Sequence, residues 1–373
     1  MDHAQLRERL VEKLTANGSL RTRAWRSAAE TVPRHEFLHG GFFRHLQGPA
    51  SDAWTPVLDS DADWLEACYQ DESLVTQIAG TILPTDVRGQ IMRAPTSSST
   101  MPSLVLRMLE DLHVEPESNV LEIGTGSGYS TALLCARLGD ERVTSIEYDD
   151  TLASRARTAL ARQSMFPAIV TANGLDGHPE SAPYDRVIAT CGIRTVPTAW
   201  IEQTRPGGLI LATISGWLNS SELARLTVHG DGTASGPLLG GQVSFMLARP
   251  HTPPALGLLP DLNEGTERET LTGGEILADW TTRFVVQLAA PHAQRLTIER
   301  DGHTEDVLID IASGSWATVH KNDGRWIVRQ SGPEALWDTV EEQLGRWHAA
   351  GTPPLEKFTV TVTPDGQTIH CIG

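Results

Sequence analysis

Two short stretches hold residue types whose spacing could do chemistry. HEFLH, residues 35 to 39, matches H-E-x-x-H, the pattern that brings two imidazoles to one helix face for zinc. That use needs a regular helix. Pro33 precedes the stretch, Gly40 and Gly41 follow at once, and no third ligand stands at useful spacing. No metal site is expected, and packing and capping are the expected roles of His35 and Glu36. The four cysteines, Cys68, Cys135, Cys191 and Cys371, lie far apart without a C-x-x-C, which supports neither a zinc site nor a disulfide framework.

The second stretch, VLEIGTGSGYST, carries Gly124, Gly126 and Gly128 between a strand and a helix. Glycine lets backbone turn tightly against a ligand, and a helix N-terminus offers free N–H groups. A dinucleotide fingerprint needs a third glycine where Tyr129 stands, and a phosphate-binding P-loop needs a lysine that is absent. G-x-G-x-G, with Glu122 two residues before the first glycine, suits S-adenosylmethionine (SAM) instead. The next strand ends at Glu147, 23 residues after Gly124, where a carboxylate can accept hydrogen bonds from a ribose diol. Tyr148 is placed with it.

The elements around this turn alternate. NVLEIG, RVTSIEY, AIVTANG, DRVIATCG and LILATIS read as apolar strands, with helices in STALLCARLG and DTLASRARTALARQS. Such alternation predicts a doubly wound α/β sheet, covered on both faces. Before it, residues 4 to 31 read as two helices, with Leu6, Leu10, Val11 and Leu14 at helical spacing. Residues 40 to 90 read as irregular, a lid or binding loop. RAPTSSSTMPS (93 to 103) reads as a hydroxyl-rich loop before an amphipathic helix at 103 to 112. The domains expected are 1–92, a helical N-terminal segment and lid; 93–250, the SAM-binding core; 251–275, a linker; and 276–373, an α+β domain. The last is read as strands FVVQLAA, RLTIER, VLIDIA, WATVHK, RWIVRQ and KFTVTVT around one helix, GPEALWDTVEEQLGRWHAAG, with hairpin turns at DG, NDG and PDG. Its Trp316, Trp326, Trp337 and Trp347 are expected in the core.

Of the 373 residues, 47 are acidic and 30 basic, a formal charge of −17. That excludes a phosphate-backbone binder and fits a small-molecule or peptide substrate. The charged amphipathic start MDHAQLRERLVEKL is not a signal peptide, and no apolar run approaches the ~20 residues of a membrane span. A cytoplasmic protein that binds no membrane and no nucleic acid is expected.

With these residues in place, the chain resembles the protein-L-isoaspartate O-methyltransferase family. VLEIGTGSGYSTALL is similar to that family's SAM loop, and VTANGLDGHPESAPYDRVIATCGIRTVPTAWIEQTRPGGLILATI to its adenine-binding turn and following strands. TVPRHEF resembles its N-terminal segment and TSSSTMPSL its substrate loop. The resemblance covers roughly residues 5 to 250. It departs at Asn173, where the family usually has aspartate, and at Thr100, where the family loop has serine. The 40–90 segment and the tail from about 276 look like additions to the ordinary repair enzyme. These departures resemble the branch that methylates an aspartate in ribosomally made modified peptides such as lanthipeptides or graspetides.

The resemblance implies a SAM-dependent Rossmann-like methyltransferase. Glu122, Gly124, Thr125, Gly126, Ser127 and Gly128 would bind SAM, the last five lining its methionine part. Glu147 would hold the ribose, and Asn173, Gly174 and Leu175 would frame the adenine. Ser98, Ser99 and Thr100 would orient the substrate carboxylate, Thr100 foremost, or else merely cap the helix that follows. An aspartate, ionised at neutral pH, needs alignment rather than a base. Its methyl ester would close to a succinimide and reopen to isoaspartate. Cys191 is expected to be a packed thiol. Two other readings stay open: a housekeeping isoaspartyl repair enzyme and a noncatalytic SAM-fold scaffold.

Overall fold

A computed structural model describes residues 1–46, 53–300 and 302–371. The chain divides into two units. The first comprises Met1–Cys191, Pro197–Leu211 and Arg225–Ala234. The second comprises Gly192–Val196, Ala212–Ala224 and Ser235–Gly373. The expected boundaries at 92 and 250 are therefore not observed. The N-terminal segment joins the core, and short pieces of the expected core join the C-terminal unit.

In the first unit, helix α1 (His3–Ala16) buries Leu6, Leu10, Val11 and Leu14. The Asp2 carboxylate caps it by accepting from Gln5 N at 2.9 Å. Helix α2 (Arg23–Thr31) buries Trp25, Ala28 and Ala29 and stops before Pro33. The stretch expected to be irregular is instead a small antiparallel sheet. It contains β1 (Phe42–His45), β2 (Trp54–Val57), β3 (Leu74–Ile78) and β4 (Pro95–Ser99), in the order β2-β1-β3-β4, with helix α3 (Trp64–Cys68) between β2 and β3. Residues 47–52 of that stretch lie outside the described residues. Phe43, Val75 and Ile78 form its apolar cluster, with Trp54, Ile82, Val87 and Ile91 packed on it. The hydroxyl-rich loop is thus the outer strand β4.

Helix α4 (Pro102–Asp111) leads into the expected parallel sheet. Its strands are β5 (Val120–Ile123), β6 (Val143–Glu147), β7 (Ala168–Thr171), β8 (Tyr184–Ile193) and β9 (Thr204–Ser215), in the order β9-β8-β5-β6-β7. Helices α5 (Tyr129–Leu138) and α6 (Asp150–Arg162) follow β5 and β6, and α7 (Thr198–Glu202) precedes β9. β5 pairs in parallel with β6 on one side (Val120↔Val143) and with β8 on the other (Val120↔Arg186). The chain reverses its direction of travel across the sheet there, and open α/β sheets bind ligands at the carboxyl ends of such strands.

After β10 (Ser221–Val228) and β11 (Ala234–Pro237), the C-terminal region carries β12 (Thr266–Thr270), helix α8 (Trp280–Ala289), β13 (Gln294–Arg300), β14 (His303–Asp310), β15 (Ser315–Asn322) and β16 (Arg325–Ser331). Helix α9 (Leu336–Ala349) and the hairpin β17 (Phe358–Thr363) and β18 (Gly366–Cys371) complete it. Five strands form an antiparallel sheet ordered β12-β16-β15-β14-β13. Two expectations fail here. Part of the linker is strand β12, paired along β16. FVVQLAA lies in helix α8, where the Asp279 side chain caps Thr282 N at 2.7 Å and Phe284, Val285, Val286 and Gln287 are all buried. A short helix buried on most sides carries the apolar run of a core strand. Asp301 of the expected DG turn lies outside the described residues. Trp316 and Trp337 are core residues, as expected; Trp326 and Trp347 are half-buried.

Candidate active site

The glycine turn begins where β5 ends. Gly124, Gly126 and Gly128 have φ of 96°, 55° and 88°, values that exclude most side chains. A Cβ on Gly124 would stand 2.8 Å from Thr190 Oγ1. That hydroxyl donates to the Ile123 and Gly124 carbonyls at 3.1 and 2.5 Å. A Cβ on Gly128 would meet Ala156 and Phe37 at 3.4 and 3.5 Å. At Gly126 such a Cβ would stand 3.5 Å from the Ser98 carbonyl oxygen, the one atom within 4 Å among the described residues. The turn is packed at both ends and open in the middle, where β4 passes it.

Glu122 does not face that opening. It is fully buried, and Ser130, Thr131 and Ser145 all donate to its carboxylate at 2.5 to 2.7 Å. The Thr125 and Ser145 hydroxyls are hydrogen-bonded at 2.6 Å. Burial pushes the Glu122 carboxyl above the usual range, and the three hydroxyls oppose that shift. Glu122 thus ties strand β5 to helix α5 and β6; it shapes the turn instead of lining it.

Glu147 closes β6 and faces the turn. Its two oxygens accept from Gly126 N at 2.9 Å and Asp149 N at 3.0 Å. Each oxygen keeps a lone pair, which is what a ribose diol requires. Burial raises this carboxyl too, against the two N–H donors. Tyr148 beside it is 52% exposed. Farther along, Asn173 Oδ1 accepts from Leu175 N at 3.2 Å, and Nδ2 donates to the Asp176 carboxylate at 3.1 Å. The Asn173 amide oxygen assigned to adenine is thus already a local cap. The carboxylate in this turn, Asp176, went unnoticed because it stands three residues past the family's position. Gly174 has no room for a side chain: a Cβ would come 2.5 Å from Ile123. Trp200 Nε1 holds its carbonyl at 2.8 Å. An open glycine turn, a carboxylate with two spare lone pairs and a pinned polar turn fit SAM.

Exchanging Glu147 for glutamine separates binding from stability. Its carboxyl is raised in the fold, so ionised Glu147 lowers stability as pH climbs from the unfolded carboxyl range through the raised value. The glutamine variant is expected to lose roughly tenfold or more in SAM affinity by calorimetry, from weakened charge-assisted bonds. Its thermal midpoint at neutral pH should not fall below that of the parent chain. A lower midpoint with unchanged affinity would contradict this assignment.

The expected substrate residues sit on and after β4. Ser97 and Ser99 are buried, whereas Ser98 and Thr100 are half-buried. Thr76 Oγ1 donates to Ser97 Oγ at 3.1 Å, and Ser99 Oγ is buried without a hydrogen-bond partner. The hydroxyls do not cap helix α4. Met101 N donates to Ser73 Oγ at 3.0 Å and Ser103 N to Asp71 Oδ1 at 2.8 Å. A cleft of about 670 Å³ opens beside the turn, lined by Glu36, His39, Asp59, Thr76, Ser127 and Arg155 among others. Thr76 and Ser97 were not singled out from sequence, because only the pairing of β3 with β4 brings them together.

HEFLH resolves as a 3-10 turn, Arg34–Phe37, and not as an α-helix. His35 Nδ1 meets the Tyr69 hydroxyl at 2.8 Å, and His39 Nδ1 meets the Asp59 carboxylate at 3.0 Å. Both rings lie against Trp64. The preceding Arg34, fully buried, donates to the carbonyls of Cys68, Gln70, Glu72, Ser99 and Thr100 at 2.9 to 3.2 Å. It thereby fixes the end of β4. Burial pushes the Cys191 thiol up to about 12, so it is protonated at neutral pH and unreactive.

The parallel sheet and this turn define a SAM-dependent methyltransferase with a Rossmann-like fold. The family model for protein-L-isoaspartate(D-aspartate) O-methyltransferase matches residues 81–240. A protein-L-isoaspartate O-methyltransferase of Methanopyrus kandleri is 31% identical over 211 residues, 56% of this chain and 76% of that protein. One of Parvibaculum lavamentivorans is 32% identical over 218 residues, 57% and 79% of the two chains. The chain belongs to the protein-L-isoaspartate O-methyltransferase family, enzymes that methylate carboxyl groups from SAM. A solved protein-L-isoaspartate O-methyltransferase shares the fold at 22% identity, with a TM-score of 0.57 over 98% of this chain and 99% of that one. Among the described residues, no helix is long and apolar enough to cross a membrane.

Proposed function

We propose that this chain methylates the side-chain carboxylate of an aspartate in a ribosomally synthesised, modified peptide, and that the ester goes on to succinimide or isoaspartate. The observation that carries the carboxylate assignment is β4. The Ser98 main-chain carbonyl stands 3.5 Å from where a Cβ on Gly126 would be, so the hydroxyl-bearing strand runs beside the turn and could offer donors to a carboxylate there. When bound, SAM supplies an electrophilic methyl group. The chain's own work is to hold the substrate carboxylate still and to shed its water. Ser99, buried and without a partner, and Thr100, held at its carbonyl by Arg34, are the assigned donors. No general base is required, since the nucleophile is already ionised.

A modified, constrained peptide is favoured by the small sheet β1–β4, which supplies Thr76 from β3 and, from the segment after β2, Asp59 to the wall of the cleft. A repair role on isoaspartyl proteins is the second reading. It is favoured by the solved family member that aligns over nearly the whole chain. The two separate by substrate. The chain is incubated with SAM and either a linear isoaspartyl peptide or a macrocyclic aspartyl peptide, and mass spectrometry follows methyl gain and then methanol loss. Preference for the macrocycle supports the first reading; preference for the linear isoaspartyl peptide overturns it. With the preferred peptide, Thr100→Val is expected to lower kcat/KM about tenfold, the worth of one hydrogen bond to a charged group, with SAM affinity unchanged. An equal loss of SAM affinity would take Thr100 out of the substrate site.

A further inference from the structure

On the C-terminal sheet, far along the chain from the glycine turn, three side chains converge without a role in methyl transfer. His303 and Glu305 lie two apart on β14, hence on one face. His320 on β15 stands directly across from Glu305. They continue the apolar row of Val307, Ile309 and Trp316 toward the end of the sheet. One ligand atom from each lies within 4.8 Å of the others. The two imidazoles stack nearly parallel, 9° apart with ring centroids at 5.4 Å.

Two of these groups are buried, His320 at 6% exposed and Glu305 at 2%. His320 Nδ1 lacks a hydrogen-bond partner and stands 3.8 Å from Glu305 Oε1, while Glu305 Oε2 is met by Arg300 Nη2 in an ion pair at 3.0 Å. A buried imidazole nitrogen left bare calls for an explanation, and an ion is one of the recognised ones. Arg300 donates to the other carboxylate oxygen, Oε1, from Nε and Nη2 at 3.2 and 3.1 Å. Arg300 so supplies the outer hydrogen bonding usual for metal-bound carboxylates, and a cation would bind Glu305 Oε2 by displacing its ion pair with Arg300 Nη2.

We propose that His303, Glu305 and His320 form a binding site for a zinc-class divalent cation that fastens the β13–β14 hairpin to β15. Two imidazoles and one carboxylate suit zinc, cobalt or nickel better than magnesium or calcium. Metal–ligand bonds of about 2.0–2.2 Å require the three groups to close by small side-chain rotations. Water completes the coordination.

The test uses the untagged full-length chain, stripped with chelator and titrated with cobalt(II) and then zinc chloride. Expected are one saturable equivalent seen in the visible cobalt absorption, its displacement by zinc, and a rise in Tm of about 5 °C at excess zinc. His303→Ala removes a half-buried ligand, and Glu305→Gln keeps an acceptor for Arg300. Each is expected to weaken cobalt binding at least about tenfold and to abolish the zinc-dependent Tm rise. No saturable cobalt spectrum in the parent chain, or equal affinity in both variants, would overturn the site.

Discussion

Arg34→Ala is expected to destabilise the first unit by about 4 kcal/mol and to abolish methyl transfer. The four Nη hydrogens of Arg34 serve five backbone carbonyls, Nη2 sharing its two among three, while Nε is buried without a partner. Bonds from a charged donor contribute about 1.5–3 kcal/mol each. Against that stands the cost of burying the guanidinium, visible in its depressed pKa, and that cost disappears with the side chain. The remainder is still exceptional for one substitution. Three of the carbonyls belong to the 68–72 segment and two to Ser99 and Thr100, so the loss also frees the substrate strand. Arg34→Lys should recover only part, because a compact ammonium with three donors cannot span the fork. Urea unfolding and the peptide assay test both effects. A variant that unfolds at the parent's midpoint but has lost activity would make Arg34 a substrate ligand, not a clamp.

That clamp also marks where the sequence was legible. The parallel sheet could be read because its strands are apolar and its helices periodic, and Gly124 to Gly128 because a strand and a helix flank them. Glu147 was named from spacing alone. Glu122 was misjudged because spacing puts an acid near the turn without saying which way it points; three hydroxyls on α5 and β6 decide that. The sheet β1–β4 left no mark. Its strands have four or five residues, a bulge interrupts the β3–β4 register, and TQ and SSS break the alternation that signals a strand. Helix α8 was mistaken for a strand because Phe284, Val285 and Val286 form a continuous apolar run. The trio on β14 and β15 is invisible in one dimension, since His320 joins the pair at 303 and 305 only through cross-strand register. HEFLH misleads in the opposite sense. Its ligand types are right, but the chain there forms a 3-10 turn with its histidines already engaged.

Gly124→Val is expected to lower SAM affinity at least a hundredfold while leaving the chain folded. Its φ of 96° is strained for any L-residue and most of all for a β-branched one. The new Cβ would also enter contact with Thr190 Oγ1 at 2.8 Å. That hydroxyl holds the Gly124 carbonyl, so the turn must move, and Gly126 N leaves Glu147. About 3 kcal/mol of combined strain is more than a hundredfold in binding. Gly126→Ala is the control. Its φ of 55° lies in the left-handed region, at a cost of about 1–2 kcal/mol, and among the described residues its Cβ meets only the Ser98 carbonyl, at 3.5 Å. It should weaken SAM about tenfold and raise the peptide KM as well, since the methyl points toward β4. Calorimetry with SAM and steady-state kinetics distinguish the two. If Gly124→Val binds SAM as tightly as the parent, the cofactor does not lie against this turn.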